Sequence, residues 1–233
     1  GGPTTRVFLR QHTPSDPWTE CSKHLSQQRI TLCARGRQAF PSNHPPKSGK
    51  SSRLRRSDVT LHTLKLVIVH HHFRLGGVRR VIELATPHLV AHWPERIRAV
   101  VLATGEAPAP AWLRAFRKRL HGTPVKVFVE PAFGYVSELA LEGRTLRRRV
   151  VDGIMELLRE AVRDEGLIWA HNLGLGRNLY LARELSFTCR CCGIPLMAHH
   201  HDWWFENRWH HFAAMREPGF RTLRAVAGAV LAG

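Results

Sequence analysis

The sequence contains no apolar run of the roughly 20 residues that a membrane-spanning helix needs. Its first residues also lack the basic segment followed by an apolar one that is typical of a secretory signal. The five cysteines do not form an evenly spaced disulfide framework, because Cys189, Cys191 and Cys192 crowd together and Cys21 and Cys33 lie far away. We therefore expect a protein of a reducing compartment, with a cytoplasmic location.

Three motifs of common enzyme classes are also missing. No G-x-S-x-G elbow is present, which gives no support to a serine hydrolase. Gly49-Lys50-Ser51 is not a phosphate-binding loop, because no strand precedes it and no glycine lies five residues before Gly49. The glycines near residues 70–77 lack the G-x-G-x-x-G spacing of a dinucleotide fingerprint.

Acidic residues are scarce, and the formal net charge is +17. Residues 1–62 carry 11 Lys/Arg against 3 Asp/Glu and are rich in Ser, Thr, Pro and Gln, so we expect a disordered basic extension. Residues 63–233 carry 24 Lys/Arg against 15 Asp/Glu, and this excess of positive charge favours anionic partners such as nucleotide diphosphates. We predict no nucleic-acid partner, since charge runs are usually solvated tails, and peripheral contact with an anionic membrane stays open. The oligomeric state is not predicted.

From residue 63 onward, short β-branched runs alternate with segments of helical periodicity. This alternation predicts a mostly parallel, doubly wound, Rossmann-like α/β domain over residues 63–233, with the strand order 3-2-1-4-5-6. The predicted strands are Leu64–Val69, Ile97–Ala103, Val125–Val129, Leu167–Ala170, Ile194–Ala198 and Val226–Leu231. The predicted helices are Val78–Val90, Ala111–Leu120, Arg144–Arg163, Asn178–Cys191 and Trp209–Arg216.

Histidine-rich segments follow the first, fourth and fifth of these strands: His70–His72 with Gly76-Gly77, His171–Asn178, and His199–Trp204. Ligands of open α/β sheets bind at the carboxyl ends of the strands, so we expect the three loops to converge on one crevice. Glycines at 76 and 77 would permit positive φ and a close backbone approach to an anion. The candidate site residues are Gly76, Gly77, His71, His72, His171, Asn172, His201, Asp202, Trp203 and Trp204.

The residue types suggest specific roles. His199 and His201 alternate along a strand and can share a face, with Asp202 available to orient an imidazole. Trp203 and Trp204 offer flat faces that stack on sugars or bases, although docking against the core is expected for at least one tryptophan. Asn178 is expected to cap a helix. His70–His72, His199–His201 and Asp202 could jointly ligate zinc, but the ligand spacing of zinc hydrolases is missing, so no metal is predicted.

Three segments together resemble the N-terminal half of bacterial glycosyltransferases of the GT-B fold, closest to the retaining, family-four-like group. They are Val67–Val78, Trp169–Leu179 and His199–Trp209, and the likeness covers about residues 64–233. The resemblance implies a transferase of two Rossmann-like domains, which moves a sugar from a nucleotide-diphosphate donor to an acceptor hydroxyl. It implies no cofactor beyond the nucleotide sugar as co-substrate, and a sugar or lipid-linked acceptor.

The resemblance also implies residue roles. Gly76-Gly77 would approach the donor diphosphate, and His171 would contact the donor sugar. His201-Asp202 would line the acceptor side, so His171 and Asp202 are the expected catalytic residues. The family's donor-binding domain has no counterpart before Gly233, so we expect a fragment with little activity alone. A non-catalytic module that binds anionic lipid or a partner protein, and a zinc-dependent hydrolase, are the alternatives.

Overall fold

The computed structural model describes residues 63–162, 166–203, 220 and 222–230. These residues belong to one compact unit. The predicted disordered extension and the predicted helix Trp209–Arg216 lie outside the described residues.

Five parallel strands form one sheet in the order β3-β2-β1-β4-β5, which confirms the predicted α/β class and the order of these five strands. The edge strand β5 begins after Pro195, since proline has no N–H to donate to a neighbouring strand. The strands are β1 Thr63–Val69, β2 Arg96–Thr104, β3 Val125–Val129, β4 Gly166–His171 and β5 Leu196–His199.

Helices connect the strands and cover both faces of the sheet. The predicted cap is confirmed, because Oδ1 of Asn178 accepts a hydrogen bond from the N–H of Leu181 at 3.0 Å. The helix that ends in the cysteines stops at Gly193, which has the left-handed φ of 66° that glycine adopts easily. The helices are α1 Gly77–His92, α2 Pro110–Arg119, α3 Gly143–Leu157 with a π-helical turn Leu158–Val162, α4 Leu179–Cys192 and α5 Leu223–Val230.

Two apolar layers enclose the sheet, because successive residues of a strand point to opposite faces. Along β1, Val67 and Val69 pack with α3, α4 and α5, whereas Leu66 and Ile68 pack with α1 and α2. Residues Leu66–Val69 of β1 are buried on both faces of the sheet, which explains why this part of the strand is a continuous apolar run.

The predicted sixth strand at Val226–Leu231 is wrong, since residues 226–230, its described part, lie in helix α5. Val226 and Ala229 are both buried, and their spacing of three residues is that of a helix face. Residues 225–230 are all apolar or glycine, so the sequence shows no period that separates a strand from a helix. None of the described helices is both long and apolar enough to cross a membrane.

Candidate functional site at the carboxyl edge of the sheet

The carboxyl ends of β1, β4 and β5 lie side by side. Strand β4 pairs with β1 on one side and β5 on the other, with Val69 opposite Ala170 and His171 opposite His199. The turns that follow these strands are therefore neighbours, as the predicted strand order requires. The reversal of strand order between β1 and β4 creates the kind of crevice where α/β proteins bind ligands.

Three imidazoles meet at this edge, and we call His171, His199 and His201 the histidine triad. His171 is the last residue of β4 and the register partner of His199, so both side chains point to the same face. Nδ1 of His171 lies 3.0 Å from Nε2 of His201. The rings of His199 and His201 stack with their centroids 4.4 Å apart. The register between β4 and β5 thus brings together histidines that are far apart in the sequence.

Two members of the triad, His171 and His201, have lowered pKa values, which favours their neutral forms. Burial lowers the pKa of His171 to about 3, with smaller contributions from His199 and His201. Burial also lowers the pKa of His201, against the opposing influence of the Asp202 carboxylate. A neutral imidazole has one N–H donor and one lone pair. The triad can therefore bond hydroxyl groups in both directions or offer lone pairs to a metal ion.

Asn172 fixes the position of the loop after β5. It adopts a left-handed conformation with φ 56° and ψ 31°, which asparagine tolerates better than most residues. Its Oδ1 accepts a hydrogen bond from the backbone N–H of His201 at 2.7 Å and a longer one from that of Asp202 at 3.4 Å. The oxygen atom of this predicted sugar-binding side chain is thus engaged in positioning the triad.

The three histidines after β1 diverge. Nδ1 of His70 lies 3.4 Å from the carbonyl oxygen of His171, so His70 lies against the triad. Nδ1 of His71 donates to the carbonyl of Phe133 at 2.8 Å, and the edge of the His72 ring meets Tyr135. His71 and His72 therefore face the turn after β3 rather than the triad.

A pocket of about 150 Å³ opens beside these two residues, and we call it the His71 pocket. Burial lowers the pKa of His71 to about 4, so this ring is neutral. Its Nδ1 must carry the proton, because a carbonyl oxygen can only accept. Nε2 of His71 is then a lone pair, and it has no hydrogen-bond partner among the described residues. The lining residues include His71, His72, Arg74, Glu106, Tyr135 and Glu138.

The charged wall of the His71 pocket was missed from the sequence. Nη2 of Arg74 lies 2.7 Å from Glu106 and 2.8 Å from Glu138, and these hydrogen bonds lower the pKa of both carboxyl groups. Glu106 follows β2 and Tyr135 follows β3. Polar residues after the ends of these strands could have indicated the pocket, but the sequence-based prediction included only the histidine-rich loops. The wall carries one positive and two negative charges.

The glycine pair behaves differently from the expectation. Neither glycine uses the positive φ that the sequence would permit, since Gly76 has a φ of 168°, which is extended backbone that any residue adopts. A Cβ atom built on Gly76 or Gly77 would meet nothing within 4 Å. The start of α1 therefore borders open space, and its first turn contains no acidic residue.

The remaining residues of the loop after β5 have different surroundings. His200 turns away from the triad, where its Nδ1 accepts a hydrogen bond from the N–H of Gly174 and its ring stacks on Trp203 at 4.0 Å. Trp203 packs against the core, as expected for at least one tryptophan. Asp202 is exposed, and its carboxylate makes no hydrogen bond to an imidazole among the residues described. Trp204 lies outside the described residues.

One nitrogen atom from each triad ring lies within 4.8 Å of the others, so these three residues could hold a metal ion. This set differs from the zinc ligands weighed from the sequence. His71 and His200 are bound to backbone groups elsewhere, and His171 takes part instead. No protein-family model matches the chain, and a comparison with curated proteins found no match.

Proposed function

We propose that the protein forms the acceptor-side half of a two-domain glycosyltransferase, which moves a sugar from a nucleotide-diphosphate donor to an acceptor hydroxyl. The observation that carries the proposal is the meeting of neutral imidazoles from three distant turns at the β1–β4 switch point. Sugars are recognised through hydroxyl groups that donate and accept at the same time. Neutral imidazoles have the matching chemistry.

In this proposal the triad contacts the sugar that is transferred. His171 is fully buried at the base of the triad, whereas His201 is only partly buried and lies on its solvent side. Asp202 is exposed beside them, where its carboxylate would accept the proton or hydrogen bond of an acceptor hydroxyl. His171 and Asp202 are therefore the proposed catalytic residues, and Asn172 positions the loop that carries Asp202.

The His71 pocket is the proposed acceptor subsite. The neutral His71 ring and the Tyr135 ring line this pocket and would contact the hydroxyl-bearing face of an incoming sugar. Arg74 already uses its donors on Glu106 and Glu138, so it offers little to an anion. The two carboxylates would repel a phosphorylated group. The pocket therefore suits an uncharged hydroxyl-bearing part of a sugar or lipid-linked sugar.

The donor diphosphate would approach the start of α1. Backbone N–H groups at a helix N-terminus attract anions, and the open space above Gly76 and Gly77 admits a ligand without a clash. Preorganised donors of this kind stabilise the charge that develops on a leaving diphosphate. In the resembling family a second Rossmann-like domain holds the nucleotide. The basic balance of the chain fits contact with an anionic membrane surface on the cytoplasmic side.

The acceptor side can be tested on this chain directly. Saturation-transfer NMR with a panel of neutral mono- and disaccharides should detect binding to the wild-type protein. His71→Gln should abolish that binding, while His92→Gln, on the far end of α1, should leave it unchanged. A wild-type protein that binds no saccharide would contradict the acceptor subsite.

The donor side is tested on a protein that contains both Rossmann-like domains of the proposed transferase, with the present chain as its acceptor-side half. We expect such a protein to transfer sugar from a nucleotide sugar, and His171→Ala and Asp202→Ala each to lower kcat by about 10²-fold or more. The melting temperature of each variant separates lost chemistry from lost folding. Wild-type turnover in both variants would remove the assigned roles.

A further inference from the structure

We propose that the histidine triad, His171, His199 and His201, binds one divalent transition-metal ion of the zinc type. The proposal goes beyond the transferase function, which assigns no metal to this edge of the sheet. It rests on residues that the sheet register brings together and does not require a nucleotide sugar or a second domain.

The distances suit a single ion. In a tetrahedral site with zinc–nitrogen bonds of about 2.0–2.1 Å, two ligand nitrogens are about 3.3 Å apart. Nδ1 of His171 and Nε2 of His201 are 3.0 Å apart, and one nitrogen of each of the three rings falls within 4.8 Å of the others. Small rotations of two side chains therefore bring three nitrogens to ligand distance.

The room for those rotations lies on the solvent side. The three rings are stacked, with interplanar angles of 13° between His199 and His201, 15° between His171 and His201, and 28° between His171 and His199. Stacked rings must turn so that their lone pairs converge on one point. His199 and His201 are partly exposed, whereas the fully buried His171 forms the base of the triad.

A buried polar atom also lacks a partner at this position. Nε2 of His171 is fully buried and makes no hydrogen bond within the described part of the chain. A buried polar atom without a partner costs about 1–3 kcal/mol. Either nitrogen of His171 could act as the ligand: Nε2 would gain a partner, and Nδ1 would exchange the contact with His201 for a bond to the ion.

The donor set determines the chemical class of the ion. Neutral imidazoles favour zinc, copper, nickel or iron, whereas magnesium and calcium require oxygen ligands. Three protein ligands leave a coordination position for water or a substrate oxygen. The exposed Asp202 carboxylate, which interacts electrostatically with His201, would partly offset the charge of the ion. We therefore name Zn²⁺ as the probe.

The test must exclude a weaker site on α1. His88 and His92 are spaced i, i+4 with their ring centroids 6.3 Å apart, and such pairs bind zinc by themselves. All proteins should therefore carry His88→Gln and His92→Gln, both remote from the triad. Equilibrium dialysis against buffered Zn²⁺, with metal analysis, should then give one tightly bound ion per chain.

Matched variants assign the ion to the triad. His199→Gln and His201→Gln should each weaken zinc binding at least about tenfold, the lower end of the loss seen even when an outer partner of a metal ligand is removed. His200→Gln is the control, since His200 lies between them in sequence but points to Trp203. The variant should bind zinc like the parent protein. With Co²⁺, the absorption spectrum should show d–d bands and no thiolate charge-transfer band.

Absence of tight zinc binding would overturn the proposal. Equal affinity in the His199→Gln, His201→Gln and His200→Gln proteins would do the same, because the ion would then be bound elsewhere. These measurements contain no sugar, so their failure leaves the transferase proposal untouched. Conversely, zinc binding without saccharide binding or turnover would support the metal site and contradict the transferase.

Discussion

The side-chain oxygen of Asn172 accepts a hydrogen bond from the backbone N–H of His201 at 2.7 Å. Asn172 follows β4 and His201 follows β5, so this bond connects the ends of two adjacent strands. The residue before Asn172 and the residue that it holds are both members of the histidine triad. The geometry of the triad therefore depends on Asn172, a residue that is not itself a member of the triad.

We predict that Asn172→Ala destabilises the protein by about 2–3 kcal/mol. The change removes a partly buried hydrogen bond, worth about 1–2 kcal/mol, and replaces asparagine at φ 56° by alanine, which tolerates this left-handed conformation less well and costs about 1 kcal/mol more. Asn172→Gly should lose the bond without the strain, and Asn172→Asp should retain the acceptor oxygen. Urea denaturation measures the free energy of unfolding of the three variants. We expect it to decrease in the order Asn172→Asp, Asn172→Gly, Asn172→Ala. An Asp variant no better than the Ala variant would refute the role of the bond.

Gly105→Ala should be strongly destabilising, by about 3 kcal/mol or more. A Cβ there would lie 2.4 Å from the backbone nitrogen of Gly134, and two backbone segments cannot separate cheaply. Gly76→Ala is the matched control, since its Cβ meets open space and the expected change in stability is a few tenths of a kcal/mol. Thermal unfolding compares the two. Equal losses in both variants would contradict the close packing at Gly105.

Stability should fall on acidification below pH 6.5. Burial lowers the pKa of His71 to about 4 in the folded protein, so the unfolded chain binds more protons between these values. Its contribution is complete above pH 6.5 and falls by about 3 kcal/mol by pH 4. His171 acts in the same direction.

The variant His71→Gln isolates this effect. Its free energy of unfolding, measured by denaturant titration at several pH values, should change less between pH 6.5 and pH 4 than that of the wild type. Parallel curves for the two proteins would show that His71 is not held neutral by the fold.

Asn178 should be sensitive to a change of a single atom. Its Oδ1 caps α4 at Leu181, and its Nδ2 donates to the carbonyls of Ala132 and Gly134, both at 2.8 Å. Asn178→Asp keeps the cap but removes both donated bonds and brings a carboxylate against two carbonyls. We expect it to be at least as destabilising as Asn178→Ala, by about 2–4 kcal/mol in urea denaturation. An Asp variant close to the wild type would show that the cap alone matters.

The sequence predicted the five described strands and their order well. Buried parallel strands are short runs of apolar, β-branched residues, so they can be recognised from the local sequence without knowing which strands lie beside them. The helix α5 was mistaken for a strand because residues 225–230 show no polar face. Its type was decided by burial of Val226 and Ala229 against other elements, which a local pattern does not contain.

The sequence predicted where the candidate site lies. It did not predict that the site consists of two separate parts, the histidine triad and the His71 pocket. The sequence placed His70–His72, His171 and His199–His201 at one edge, which follows from strand order alone. Each strand end, however, points successive side chains to opposite faces. Consequently His70 lies against the triad, while His71 lines a separate pocket with Arg74 and Tyr135.

The sequence by itself determined the class of the fold, the order of the strands that it contains and the edge at which the histidines gather. These properties follow from local hydrophobic pattern and from the rules that connect parallel strands. Only the tertiary structure decided that His171, His199 and His201 meet while His200 and His71 do not. The physical reason is the register between β4 and β5, because opposite residues share a face and a shift of one position would exchange the members of the triad.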